Sequence, residues 1–243
     1  MIKVTPAEIK QLRPKRILSS DVWLPGGQIS PAVRESLLKI ANEFYIFLGL
    51  EVVIHDVTFT GSLANYNYTK FSDIDLHILV DYSEIDENID LVRDFLTAKK
   101  TVWNDKHSIF VKGYEVELYA QDINEPHHST GVYSILKNEW IKKPKIGKPD
   151  IDIIAIKEKT KSLMRRIDKG IKSPNRREKL DHIKEKIKTM RQAGLESAGE
   201  FSIENLAFKV LRRNGYLEKL YSVSLKDYDA SLSLNQESFT HKQ

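Results

Sequence analysis

The chain has 243 residues, 41% hydrophobic and 30% charged, which suits a globular protein of one large domain or two small ones. It has no cysteine, which excludes disulfide scaffolds, thiolate zinc sites and cysteine nucleophiles and favours a cytoplasmic location. The net charge is +4, and no stretch is apolar enough to predict a secretion signal or a membrane span.

The first half of the chain mixes helix and strand patterns. Ser30-Pro31 is a helix start, because proline suits the first helical position, and apolar residues at helical spacing follow to about residue 48. The pattern then predicts strands over 52–60 and 73–80, a helix around 89–96, a β-hairpin over 107–120 turning at Lys112-Gly113, and a helix capped by Ser129 or Thr130.

The second half is helical and basic. Residues 142–150 read as a linker with two prolines and a glycine, and amphipathic helices are predicted over 153–167, 180–190 and 203–211. We therefore predict an α+β domain over residues 1–143, a basic helical domain over 151–224 and a polar tail over 225–243.

The positive charge is concentrated in the helical half. Residues 151–191 hold 14 Lys and Arg against six Asp and Glu, a local balance of +8 that leaves −4 for the rest of the chain. Such asymmetry favours a polyanionic partner, although long solvated helices are also often rich in lysine.

Two aspartates mark the candidate chemistry of the first half. Asp73 and Asp75 are two residues apart on a predicted strand, so they share one face while Ile74 points into the core. Paired carboxylates repel each other unless a cation lies between them, and oxygen ligands suit Mg²⁺ or Mn²⁺. Upstream, Gly61-Ser62 ends a strand and is expected to open a helix, where backbone N–H groups favour an anion such as a phosphate.

A later strand supplies a third acid for the same site. Glu117 lies between Val116 and Leu118, the apolar context of a core strand, and is our first choice. Glu115 lies nearer the hairpin turn and is the second choice.

Gly61-Ser62, a spacer of ten residues, Asp73-Ile74-Asp75-Leu76 and a later strand acid together resemble the nucleotidyltransferase superfamily. This superfamily includes DNA polymerase beta, poly(A) polymerases, CCA-adding enzymes and antibiotic nucleotidyltransferases. The resemblance covers roughly residues 50 to 122 and implies a nucleotidyltransferase-fold mixed sheet with flanking helices, followed by a C-terminal helical domain.

The resemblance also implies a role for each site residue. Asp73 and Asp75 would ligate two Mg²⁺ or Mn²⁺ ions, and Glu117 would ligate the ion nearer the acceptor hydroxyl. Gly61 and Ser62 would contact the β- and γ-phosphates of the NTP. The spacer lacks the arginine often found after Gly-Ser in this family, and the lysine at position 70 could substitute for it.

The implied reaction is transfer of an NMP from an NTP, such as ATP, to an acceptor hydroxyl with release of pyrophosphate. The expected acceptor is an RNA 3′ end, such as that of a tRNA, because the basic half could follow a phosphate backbone. The alternatives are a small molecule as acceptor, synthesis of an oligonucleotide second messenger, toxin-like modification of a tRNA or protein, and a binding module without catalysis.

Overall fold

The computed structural model describes residues 4–5, 7, 9, 11–127, 129–147 and 149–233. The chain divides into two compact units, which we describe separately. Arg13–Lys148 form the sheet unit, and Met1–Leu12 together with Pro149–Gln243 form the helical unit. The described residues up to Leu12 therefore group with the helical unit, whereas the sequence pattern includes them in the α+β domain.

The bounds of the helices and strands follow the chain in two blocks. In the sheet unit they are α1 (Pro31–Leu48), β1 (Asp56–Thr60), β2 (Ile74–Val80), α2 (Ile89–Lys106), β3 (Phe110–Val111), β4 (Tyr114–Asp122), β5 (Val132–Ser134) and β6 (Glu139–Lys142). In the helical unit they are α3 (Ile153–Ile171), α4 (Arg176–Ala198), α5 (Ile203–Arg213) and α6 (Tyr216–Leu232).

The described strands form one mixed six-stranded sheet in the order β3-β4-β2-β1-β5-β6. The β2–β4 pair is parallel and the other neighbouring pairs are antiparallel. Helix α2 and the β3 hairpin lie between β2 and β4 in the chain, which gives the long connection that a parallel pair requires. The predicted α+β class, a mixed sheet followed by a helical region, is confirmed.

One face of the sheet is apolar and the other is polar. On β2, Ile74, Leu76 and Ile78 are fully buried in the same core as Leu37 of α1 and Leu96 of α2. The residues between them on β2 are half-buried and include an aspartate and a histidine. Because strand residues alternate between faces, burying the apolar set on the helices leaves the polar set on the opposite face.

The helical unit has a core of its own. Its four described helices contribute buried aliphatic side chains, and the N-terminal segment adds Val4, Ile9 and Leu12 to the same cluster. The buried side chains of the helices follow the 3.6-residue period: Ile156, Leu163, Ile167, Leu180, Ile187, Leu206, Val210, Leu211, Leu217 and Leu220. None of the described helices is long and apolar enough to cross a membrane.

Three sequence predictions are wrong in detail. Gly61-Ser62 forms a turn and not the start of a helix. The segment after Ser129 forms β5 and β6, because β5 completes the sheet beside β1 and the Ser129 hydroxyl donates to the carbonyl of Gly131 instead of capping a helix. Helix α6 continues to Leu232 through the stretch expected to begin a polar tail, and the rest of that stretch lies outside the described residues.

Candidate active site

Two of the predicted acids lie side by side on the polar face of the sheet. In the parallel β2–β4 pair, Asp75 is in register with Glu117, and both side chains are half-buried. Their neighbours in the register, Ile74 with Val116 and Leu76 with Leu118, are buried on the opposite face. The sheet therefore holds the two carboxylates side by side on its polar face.

The third predicted acid, Asp73, lies just before the first residue of β2. It is half-buried and alternates with the buried Ser72 and Ile74, so it stands on the side of Asp75. Among the described residues, no three His, Asp or Glu side chains are gathered tightly enough to hold a metal ion as they stand. The predicted three-acid set is thus a pair in register with a third acid at the start of the strand.

Gly61 makes the turn that passes directly over Asp75. Thr60, the last residue of β1, is in register with Asp75, and Gly61 follows with a φ of +77°. A Cβ built on Gly61 would lie 1.7 Å from Oδ2 of Asp75. Only glycine combines this left-handed backbone with so close an approach to the carboxylate.

Ser62 is tied to the loop that leads into β2. Its hydroxyl donates to the Ser72 hydroxyl at 2.7 Å, and the Ser72 hydroxyl accepts the backbone N–H of Thr69 at 2.9 Å. These bonds connect Ser62 to the turn of residues 69–72 that precedes the aspartates. Lys70 is exposed on this turn with its ammonium 4.9 Å from the ring of Phe71, so its proposed phosphate contact stays a prediction.

Tyr119 was not predicted to belong to the site, yet it contacts one of the predicted acids. Its hydroxyl donates to Oε2 of Glu117 at 2.5 Å, and the ammonium of Lys100 lies 4.7 Å from its ring centre. Burial, followed by the charges of Glu117, Asp75 and Asp73, raises the pKa of Tyr119. Tyr119 follows Glu117 by two residues on β4, so its hydroxyl stands on the same polar face of the sheet as the predicted acids.

His77 extends the polar face beyond the acids. Its Nδ1 lies 2.7 Å from Oε1 of Gln121, and its Nε2 lies 3.2 Å from the hydroxyl of Thr60. Because Gln121 donates through Nε2 to the carbonyl of Glu125, its Oε1 is the acceptor and the His77 proton is on Nδ1. Burial lowers the pKa of His77 to about 4, which keeps the ring neutral.

The second-choice acid, Glu115, occupies a different place on the same strand. It is in register with Phe110 of β3, whereas the pairing of β4 with β2 begins one residue later, at Val116 with Ile74. Glu115 thus belongs to the hairpin, and Glu117 belongs to the centre of the sheet.

Tyr119 and Gln121 are site residues that were not predicted, although the sequence carries a signal for them. Both follow Glu117 at intervals of two residues on β4, the spacing that puts strand residues on one face. Lys100 could not be found this way, because it comes from a helix that packs across the strand.

The donor set fits a hard divalent cation that arrives with a phosphate ligand. Mg²⁺ is usually bound by one or two carboxylates together with substrate phosphates and water, and seldom by a complete protein cage. Asp75 and Glu117 supply such a pair, with Asp73 beside them. Gly61 brings no side chain of its own to this turn and lies against the Asp75 carboxylate, so a cation held by Asp75 would lie next to the Gly61 backbone.

No protein-family model matches the chain, and no curated protein matches it. A structural comparison finds the STING-associated CdnE c-di-GMP synthase from Capnocytophaga granulosa, at 13% sequence identity and a TM-score of 0.22, over 83% of this chain and 84% of that chain. A TM-score of this size does not establish a common fold. We therefore base the functional proposal on the geometry of the site.

Proposed function

We propose that this protein is a metal-dependent nucleotidyltransferase that moves an NMP from an NTP to an acceptor hydroxyl and releases pyrophosphate. One observation supports this most directly: Asp75 and Glu117 are in register on adjacent strands, directly beside the glycine turn at Gly61. A carboxylate pair next to a positive-φ glycine turn suits a divalent ion and a phosphate chain together.

Each residue has a proposed role that follows from its position. Asp75, with Asp73 just before its strand, holds the cations that accompany the triphosphate, and Glu117 holds the cation nearer the acceptor hydroxyl. Gly61 lets the β- and γ-phosphates approach the backbone, and the Ser62 hydroxyl, fixed by Ser72, lies next to that approach. Bound Mg²⁺ would lower the pKa of the acceptor hydroxyl and neutralise the charge of the leaving pyrophosphate.

A binding module without catalysis is disfavoured by the cost of this arrangement. Like charges held on neighbouring strands destabilise a fold, and a protein that only binds an anion has no use for them. A cation that ligates the acids removes this cost.

An RNA 3′ end is our first candidate for the acceptor, because the helical unit carries many exposed cations. They are Arg165, Arg166, Lys169, Lys172, Lys179, Lys186 and Lys188. Exposed cations at this density can neutralise phosphates of a nucleic-acid backbone.

A second nucleotide is the other candidate acceptor, and the product would then be an oligonucleotide signalling molecule. Part of the positive charge of the helical unit is already used internally: Lys159 pairs with Glu204 and Arg176 pairs with Asp227. Glu204 and Asp227 lie outside residues 151–191, and Lys219, also outside, pairs with Asp168 inside them. The charge left for a polyanion is therefore slightly lower than the +8 of that segment.

The test is incubation of the full chain with each α-³²P-labelled NTP and Mg²⁺ or Mn²⁺, with and without total RNA. Labelled RNA, labelled protein and small labelled products are then separated. The Asp75→Asn variant, purified in the same way, is the control for contaminating enzymes.

Each outcome assigns or removes a class of acceptor. Label in RNA supports the RNA acceptor, and label in an oligonucleotide without added RNA supports the nucleotide acceptor. Label in the protein itself indicates a protein hydroxyl. If transfer by the wild type does not exceed that of the Asp75→Asn control with any NTP, the proposed activity is contradicted.

A further inference from the structure

Glu117 does not stand alone on its strand, because Tyr119 shares its face and is hydrogen-bonded to it. The Tyr119 hydroxyl donates to Oε2 of Glu117 at 2.5 Å. The hydroxyl therefore occupies one of the two carboxylate oxygens and fixes the rotation of the carboxylate. With its rotation restrained, the carboxylate presents its remaining lone pairs, including those of Oε1, in fixed directions to a cation.

The ring of Tyr119 is held on two sides. It stacks on His77 with the ring centres 4.9 Å apart and the planes 26° from parallel. The ammonium of Lys100 lies 4.7 Å from the centre of the ring. A ring held in this way keeps its hydroxyl at one point, so the hydrogen bond to Glu117 has a fixed direction.

His77 is fixed by two further hydrogen bonds, one on each ring nitrogen. Thr60 of β1 bonds Nε2, and Gln121 of β4 bonds Nδ1. The support of Glu117 therefore reaches from β1 across β2 to β4, the three adjacent strands at the centre of the sheet.

From this geometry we propose that Tyr119 is a positioning residue that orients Glu117 for metal ligation, with His77 and Lys100 holding its ring. This inference rests on the proposed function. Metal-ligating carboxylates are commonly hydrogen-bonded by neighbouring groups, and loss of such a group typically costs 10- to 100-fold in metal affinity or activity. Tyr119 acts through Glu117 and has no contact with substrate assigned to it.

The experiment measures Mn²⁺ binding by electron paramagnetic resonance with a non-hydrolysable NTP analogue present, so that it does not depend on turnover. Tyr119→Phe removes the hydroxyl and keeps the ring between His77 and Lys100. We expect Mn²⁺ to bind this variant about 10-fold more weakly or worse.

Tyr82→Phe is the matched control for loss of a tyrosine hydroxyl. The Tyr82 hydroxyl donates to the backbone carbonyl of Ala120 at 3.0 Å, so its role is structural. We expect Tyr82→Phe to leave Mn²⁺ affinity within about 2-fold of the wild type. The hydrogen bond that it removes is made to a backbone carbonyl and not to one of the acids. Equal weakening by Tyr82→Phe and Tyr119→Phe overturns the inference.

A double-mutant cycle with Glu117→Gln separates this inference from the proposed function. If Tyr119 acts only through Glu117, Tyr119→Phe has no further effect once Glu117→Gln is present. Two outcomes overturn the role of Tyr119 and leave the proposed function standing. In the first, Tyr119→Phe lowers Mn²⁺ affinity equally in the wild type and in Glu117→Gln. In the second, Tyr119→Phe lowers it in neither, while Glu117→Gln itself weakens binding. If Glu117→Gln alone does not weaken Mn²⁺ binding, the proposed third ligand is wrong and the role of Tyr119 is overturned with it.

Lys100→Met tests the same inference should Tyr119→Phe fail to fold. It removes the cation over the ring and leaves the Tyr119 hydroxyl in place. A partly exposed cation–π contact contributes about 0.5–1 kcal/mol, so we expect Mn²⁺ affinity to fall roughly 2- to 5-fold. Unchanged affinity in this variant contradicts the proposal.

Discussion

Gly61 and Asp75 are so close that position 61 cannot carry a side chain without moving the carboxylate. A Cβ on Gly61 would lie 1.7 Å from Oδ2 of Asp75 and 2.8 Å from its Cγ. The glycine at the end of β1 and the aspartate on β2 therefore form one structural unit, although 13 residues separate them in the chain. The position of the Asp75 carboxylate therefore depends on the absence of a side chain at residue 61.

Gly61→Ala should displace the Asp75 carboxylate and reduce nucleotidyl transfer by about 100-fold or more, since a shift of about 1 Å can cost that much. The left-handed backbone adds about 1–2 kcal/mol of destabilisation. Gly113→Ala is the control, because Gly113 has a φ of +82° with nothing within 4 Å of its Cβ. It should lose only the stability that the left-handed backbone costs and keep full activity, in denaturant titrations and transfer assays. Equal activity in both variants would contradict this account.

Asp73→Asn and Asp75→Asn should each reduce nucleotidyl transfer to background. Each change removes a negative charge from a half-buried position without removing volume from the core, so the fold should persist. Without metal, the thermal midpoint should stay the same or rise, because repulsion between carboxylates is relieved. The wild type should gain stability from Mn²⁺ with an NTP analogue, and the variants should lose that gain. Near wild-type turnover in either variant would show that the site is elsewhere.

Glu117→Gln and Glu115→Gln should differ sharply in the chemical step. Glu117 is in register with Asp75, whereas Glu115 is paired with Phe110 in the hairpin. Single-turnover kinetics should show a loss of several orders of magnitude for Glu117→Gln and less than about 3-fold for Glu115→Gln. The opposite ranking would move the site two residues toward the hairpin turn.

The ion pair between Lys159 and Glu204 should make the helical unit less stable in acid. The hydrogen bond from Lys159 lowers the pKa of Glu204, so the folded state binds the proton less readily than the unfolded state. The stabilisation is present above the ordinary glutamate pKa of about 4.3 and is lost as the pH falls through the lower pKa of the folded state. Glu204→Gln should cost less than about 1 kcal/mol at pH 7 and less again at pH 3. Urea titrations at both pH values measure this difference.

If RNA is the acceptor, the affinity of the protein for RNA should fall steeply as the salt concentration rises. For a single strand the log–log slope is about −0.7 per phosphate, so four to six contacts give a slope of roughly −3 to −4. Reversal of two exposed cations of the helical unit, Arg166→Glu with Lys169→Glu, should weaken binding and flatten the slope by about 1.4. The same reversal at Lys39 and Lys106, two exposed lysines of the sheet unit, is the control. Binding that is insensitive to salt or to both reversals would favour the nucleotide acceptor.

Arg176 is unsuitable for that reversal, although its charge makes it a candidate from sequence. It forms a two-point ion pair with Asp227 between α4 and α6. Replacing it with glutamate would place two acids together and disturb the packing of the helices, so weaker RNA binding would have two explanations.

The amino-acid sequence was sufficient to predict the elements whose hydrophobic period is unambiguous. Helix α1 begins at Pro31 and ends at Leu48, as Ser30-Pro31 and the apolar spacing predict. On β2 the alternation of Asp75 with buried neighbours predicts both the strand and the face of the acid. These features are local, since each depends on residues within one or two turns of helix or one strand.

Only the tertiary structure decided which partners the local elements have. The parallel pairing of β2 with β4 brings Asp75 opposite Glu117 and leaves Glu115 in the hairpin, and no local pattern sets a register across 42 residues of chain. The short strand β5 exists because it pairs with β1, so its three residues carry no signal without that neighbour. The contact of Tyr119 with Lys100 likewise needs helix α2 to pack across β4. The sequence determined which side chains share a face, and the packing of distant segments determined which of them meet.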